Sequence, residues 1–304
     1  MLERYGRQPY RKENRLPDLA WSIFLFICLL GAILYCVVAV FNMEDINIKD
    51  AIAVGVKATD ARIIEEFARE SISGKYLGLF KRSNIFFYPK QNIEYTLKKN
   101  IARLNDVNVD VRGRVVVVSV SERLPVYLFC DKPREIRPRN CLYADSDGFV
   151  FDQAPELSGD LFFEFITSSS SPVLANSAAV GKHFLPSGIF AGVLGLKEKV
   201  LELAQEKIDP SIKLESVVVG KDDYSFILEG TGLNTKLLNI RFFISYDLAV
   251  KNGAAWISSV ISEIVSNLYT TVTSAKFKEE MSLGKKLEYI DLRFGNKVFY
   301  KFGK

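Results

Sequence analysis

LEYIDLRFGNKVFYK, residues 287 to 301, decides how the large C-terminal part of this chain is read. Ile290, Leu292 and Phe294 alternate with Tyr289, Asp291 and Arg293, and a period of two marks a half-buried strand. Gly295-Asn296 is a two-residue turn, and Lys297 to Lys301 reads as a second short strand. Such a hairpin must pair with something. Either its aromatics fill a core inside the chain, or one side stays open as an edge on which another chain's strand docks.

Upstream, the first informative segment is Leu19 to Phe41, LAWSIFLFICLLGAILYCVVAVF, 23 residues without a charge. As a helix it spans about 34 Å, against a hydrocarbon core of about 30 Å. This predicts contact with the lipid bilayer over residues 19–41, with Trp21 as an interfacial anchor. The run is longer than the apolar region of a cleaved signal, and Val40-Phe41-Asn42-Met43 is not a small-x-small site, so the reading is an uncleaved anchor. Arg4, Arg7, Arg11, Lys12 and Arg15 precede the span, while Glu44 and Asp45 follow it. Positive charge stays in the cytoplasm, which places the short tail inside and the rest outside.

A chain of 304 residues suffices for about two domains. Its formal charge is only +4, and no basic run interleaves with aromatics, so nucleic acid is set aside as a partner. Cys28 and Cys36 lie in the span as apolar filler. Cys130 and Cys141 lie in the outer part, where a disulfide is permitted. A bridge there would contribute about 3 kcal/mol in the chain-entropy model; the alternative is a pair of buried thiols. His183 is the one histidine, which argues against a metal site, and no motif implies a cofactor or a small-molecule substrate.

Between span and hairpin the elements follow in order. Ile46 to Val54 reads as a strand ending at Gly55; Thr59 caps a helix with Ile64, Phe67, Ala68 and Ile72 on one face. Pro89 opens a second helix carrying Ile93, Leu97 and Ile101. Val107, Val109 and Val111 alternate, Arg112-Gly113 turns the chain, and Val115 to Val120 is a β-branched run. Strand, helix, helix, strand, strand predicts a two-layer module with both helices on one face of the sheet. Val126 to Cys130, Cys141 to Ala144 and Phe149 to Phe151 are strands, with a turn at Asp145-Ser146-Asp147-Gly148. Residues 167–177 read as a polar loop, Leu194 to Ile208 as a helix, and Leu214–Val219, Ser225–Leu228 and Leu237–Phe243 as strands. A long amphipathic helix follows, with Ile257, Val260, Ile261, Ile264 and Leu268 on one stripe and Glu263 among serines opposite, so it is no second span.

In this order the motifs resemble the FtsQ/DivIB family of bitopic bacterial cell-division proteins. The likeness rests on the short basic tail and single span, on Val54-Gly55 before the first helix, and on V-S-V-S-E-R-L-P-V at 118–126. It rests also on L-Y-A-D-S-D-G-F-V-F, similar to L-x-D-x-x-G-x-V-F, and on Y-I-D-L-R-F at 289–294. It covers about residues 1–152 and 287–301. The stretch between the module's helices looks long, the Cys130/Cys141 pair is not general in the family, and 153–190 looks like an insertion. The implied organisation is α+β: a cytoplasmic tail 1–18, a transmembrane helix 19–42, a POTRA-like module 43–122, and a mixed or antiparallel β-domain with helices packed on it over 123–304.

The resemblance implies a non-catalytic divisome scaffold at the septum, whose β-domain pairs with the coiled-coil membrane proteins FtsB (DivIC in some lineages) and FtsL. The residues suit it: one histidine and no G-x-S-x-G offer little for nucleophilic catalysis, and R-P-R-N-C is not the cysteine motif of a sortase. The expectation is that the terminal hairpin is the sheet's edge and that a partner strand adds to it. Tyr289, Phe294, Phe299 and Tyr300 are the expected anchors, Ile290, Leu292 and Val298 complete the surface, and Asp291 and Arg293 pair across strands or meet partner charges. Two other readings stand: a POTRA-bearing anchor for secretion or envelope assembly, and a tethered envelope enzyme using Cys141, Asp145 or Asp147.

Overall fold

The computed structural model describes residues 16–156, 161–167, 179–220, 222–230 and 238–303. The tail 1–15 and the polar segment 168–178, which holds most of the expected 167–177 loop, lie outside them. The architecture is mixed α and β, with one apolar N-terminal helix and large sheets. Helix α1 (Leu16–Phe41) includes Ala20–Phe41, 22 residues long and apolar enough to cross a bilayer, with none of that stretch buried against protein. The chain divides into two compact units, residues 1–97 with 107–120, and residues 98–106 with 121–304.

The first unit is a three-stranded sheet with two helices. Strand β1 (Asp50–Val54) runs parallel to β5 (Val115–Glu122), which neighbours β4 (Leu104–Arg112). The expected strand at 46 starts later, because Glu44–Ile46 form a 3-10 turn. Helices α2 (Ala61–Ser71) and α3 (Lys90–Asn100) bury Ile64, Ala68, Ile93 and Leu97 beside Ala51, Val116, Val118 and Val109. Asp60, not Thr59, caps α2; its carboxylate accepts from the Arg62 N–H at 3.0 Å. Gly55 is required where it stands: its φ is +87°, and a Cβ would sit 2.2 Å from the Val120 carbonyl oxygen. Between the helices, β2 (Lys75–Tyr76) and β3 (Phe80–Lys81) form a small hairpin.

The second unit is built on a ten-stranded mixed sheet. Its strands are β6 (Tyr127–Cys130), β7 (Cys141–Ala144), β8 (Phe149–Ala154), β9 (Phe163–Thr167), β10 (Lys182–His183), β11 (Lys213–Val219), β12 (Asp223–Glu229), β13 (Leu238–Phe243), β14 (Leu287–Phe294) and β15 (Lys297–Phe302). Their spatial order is β10-β8-β7-β6-β9-β11-β12-β13-β14-β15. The segment 153–190, for which the sequence predicts no element, contributes to this sheet. Within it, β9 is a central strand, parallel to both β6 and β11, and its FEFIT sequence is buried as a parallel strand requires.

One row of directly opposed residues runs along the core face: Leu142, Phe129, Phe165, Val217, Phe226, Ile240, Ile290 and Tyr300. Against it pack α4 (Ser187–Lys207), α5 (Tyr246–Thr273) and α6 (Ala275–Ser282). Helix α4 begins seven residues before the expected Leu194. Its first turns, SGIFAGVLG, show no polar stripe because Ile189, Phe190 and Val193 are all buried. The α5 helix is broken at Gly253, where φ is +71°.

Candidate partner-binding edge

Strand β15 ends the order of the sheet; it pairs with β14 on one side and with no described strand on the other. Its side chains alternate: Val298, Tyr300 and Phe302 pack on the core, while Lys297, Phe299 and Lys301 stand exposed. Phe277 on α6, fully buried, meets the rings of Tyr300 and Phe302, each at 5.3 Å. The backing of this edge is therefore aromatic.

Strand β14 differs from the expected alternation. It is bonded on both sides, parallel to β13 and antiparallel to β15, so its main chain is not open to a partner. Ile290 and Leu292 are core residues, and Tyr300 and Val298 face that core too, which corrects their expected place on the contact surface. Phe294 does not stay with Ile290 and Leu292. The register shifts between Asp291 and Phe294, and Phe294, 55 % exposed, meets Phe299, 51 % exposed, edge-on at 5.3 Å. The structure thus splits the four expected anchors: Phe294 and Phe299 share an exposed patch, Tyr300 points inward, and Tyr289 lies half-buried under the guanidinium of Arg241 at 5.1 Å.

Asp291 and Arg293 pair with each other along the same strand, and Arg293 also makes a cross-strand pair with Asp223 on β12. Arg293 donates from Nε and Nη2 to the Asp291 carboxylate at 2.9 and 2.7 Å, and its backbone N–H donates at 3.2 Å. Burial pushes the Asp291 carboxyl up, but the Arg293 hydrogen bonds and charge outweigh it and hold the group below the usual carboxylate range. Arg293 also reaches Asp223 at 3.7 Å, and Asn267 on α5 donates to the Gly295 carbonyl oxygen at 3.0 Å, which tethers the turn. Arg241, Asp223 and Asn267 carry no periodic signal; only the register of non-adjacent strands brings them here.

Far along the same sheet, Cys130 and Cys141 are directly opposed on β6 and β7 and joined by a disulfide. The loop it closes covers the face away from the helices. There Glu164 accepts two bonds from Arg139 at 2.8 and 3.0 Å and pairs with Arg134 at 2.9 Å, with Glu164 and Arg139 buried. The two motifs E-R-L-P and A-D-S-D-G also meet. Asp145 accepts from the N–H groups of Asp147 and Phe149 at 3.0 and 2.9 Å and pairs with Arg123 at 2.5 Å, whose guanidinium lies 4.0 Å over the Phe149 ring. Asp145 is a turn organiser and the counter-ion of Arg123. Among the described residues no group of three or more potential ligand side chains is placed to hold a metal ion. No protein-family model matches this chain, and no curated protein matches it.

Proposed function

We propose that this chain is a single-span scaffold of bacterial cell division, of the FtsQ/DivIB type, and that β15 takes a strand from a coiled-coil membrane partner of the FtsB/DivIC or FtsL kind. One observation carries the proposal. A six-residue edge strand with an exposed Phe299, flanked by Phe294, ends a ten-stranded sheet, and main-chain bonds there supply affinity while a few aromatic anchors supply specificity. The pairing of Arg123 with Asp145 supports the family resemblance, since it gives two of its separated motifs a shared structural reason. Of the residues named for the enzyme reading, the Cys141 sulfur is in a disulfide and the Asp145 oxygens accept from the turn and from Arg123.

The test uses the membrane-embedded chain with and without residues 297–304, and Phe299→Ala beside it in case the truncated sheet fails to fold. The expected result is loss of the coiled-coil partner from the purified complex for both. Unchanged retention with Phe299→Ala and with the folded truncation rejects strand addition. A fluorescent fusion concentrated at mid-cell supports the division role; an even membrane distribution favours the anchor for secretion or envelope assembly.

A further inference from the structure

The β2–β3 hairpin of the first unit has an unusual tip. Leu79 N–H donates to the Tyr76 carbonyl oxygen at 3.0 Å, closing a turn whose central residues, Leu77 and Gly78, both have positive φ, 49° and 72°. Turns of that hand favour Asn-Gly, because a branched apolar side chain is strained in the left-handed region. Here a leucine stands in that place, 93 % exposed. Nothing in the unit's own packing explains it. In the turn after the hairpin Phe86 is 68 % exposed, and Phe87 and Leu79 are exposed as well.

The same segment is fastened to the end of α1. Carbonyl groups at a helix C-terminus lack intrahelical partners, and this segment helps to satisfy them. Asn84, itself buried, donates to the Phe41 carbonyl oxygen at 2.9 Å. Asn42 donates to the carbonyl oxygens of Val38 and Leu79 at 2.7 and 2.9 Å, and Lys81 donates to the Asn42 carbonyl oxygen at 3.3 Å. The Phe41 ring meets Phe80 and Phe87 edge-on at 6.2 and 5.3 Å. The hairpin is therefore held at the level where the apolar helix ends. From Gly74 to Lys90 the chain carries four basic residues, Lys75, Lys81, Arg82 and Lys90, and no acidic one. Of these, Lys90 pairs with Asp110 at 3.1 Å and with Glu94 at 3.8 Å, and beside the end of α1 Asp45 lies 3.7 Å from Arg114.

We propose that Leu77 and Phe86 insert into the anionic headgroup layer of the same bilayer that holds α1, so that the first unit lies on the membrane instead of swinging free from the helix. Exposed leucine and phenylalanine beside basic side chains is the composition of an interfacial contact, and its place next to the exit of a span supplies the surface. The inference rests on α1 being a membrane span, and not on the division role.

The experiment uses the full chain with Cys28 and Cys36 replaced by alanine, reconstituted in phosphatidylcholine–phosphatidylglycerol nanodiscs without reductant. Cys130 and Cys141 are joined and take no label. An environment-sensitive fluorophore is placed in turn at Leu77→Cys, Phe86→Cys, Leu30→Cys within α1, and Ile63→Cys, exposed on the first turn of α2. With nitroxide-bearing lipid, the labels at 77 and 86 are expected to shift to the blue and lose most of their emission through a shallow quencher. The label at 63 stays water-like, and the label at 30 responds to a deep quencher. Labels at 77 and 86 that behave like the one at 63 while 30 is quenched overturn the insertion and leave the span intact. A label at 30 that no lipid quencher reaches overturns both. A blue shift at 77 and 86 without lipid quenching marks burial against a second copy and also overturns the proposal.

Discussion

The ten-stranded sheet ends in two edges that are built differently. At one end β10 is two residues long, Lys182 and His183, paired with Val150 and Phe149. At the other β15 runs for six residues, with Phe299 exposed between Lys297 and Lys301 and an aromatic floor of Phe277, Tyr300 and Phe302 beneath it. A short, polar edge offers few main-chain groups and resists pairing; a long edge with an apolar side chain invites it. The two ends of one sheet thus show that exposure of backbone is managed strand by strand.

That contrast can be broken or sharpened. The largest effect is expected from Phe277→Ala, which removes the floor of β15. Truncating a buried phenylalanine costs about 3–5 kcal/mol, and urea unfolding of the membrane-embedded chain reads it; a loss under ~1 kcal/mol would mean that β15 is not held from below. Reducing Cys130–Cys141, which closes a loop over a sequence separation of 11, is expected to lower stability by about 3 kcal/mol. It should leave partner retention at β15 unchanged, because the bridge lies on strands five or more positions away in the sheet. Phe299→Ala comes next: affinity for the proposed partner is expected to fall by about 2 kcal/mol, roughly thirtyfold, while unfolding shifts by less than ~0.5 kcal/mol because the ring is exposed.

A pH series separates the two ends again. The Asp291 carboxyl is lowered in the folded state by Arg293, so its contribution is present above the unfolded value of about 3.9 and is lost as pH falls through the lower folded value. Asp291→Asn should therefore flatten the acid limb of the stability curve; an unchanged limb shows that the pair is not coupled to folding. The smallest effect belongs to Lys182→Pro at β10, under ~0.5 kcal/mol in stability with partner retention unaltered.

Much of this was legible along the chain. Charge-free length identified the one helix, among the described residues, that is long and apolar enough to span a membrane, and period-two alternation located both strands of the terminal hairpin within two residues. The failures are instructive. FEFIT, 163 to 167, has no alternation because a parallel strand covered on both faces needs none, so period two does not reveal this central strand. Period two alone puts Phe294 on the side of Ile290 and Leu292, and a register shift turns it outward, to the exposed side that an anchor needs. Asp291 and Arg293 were seen as neighbours, yet Arg241, Asp223 and Asn267 around them were not, since nothing local records which distant strand lies alongside.

By itself the sequence determined the long apolar N-terminal helix, the order of most helices and strands, and the hairpin, because hydrophobic length and periodicity act over a few residues and need no distant partner. Only the tertiary structure decided that β15 is an edge, that Phe294 and Phe299 share its exposed side, and that Leu77 is held beside the end of α1. Those facts depend on which strands pair and in what register, and pairing joins residues far apart in the chain through main-chain bonds that any side chain can make.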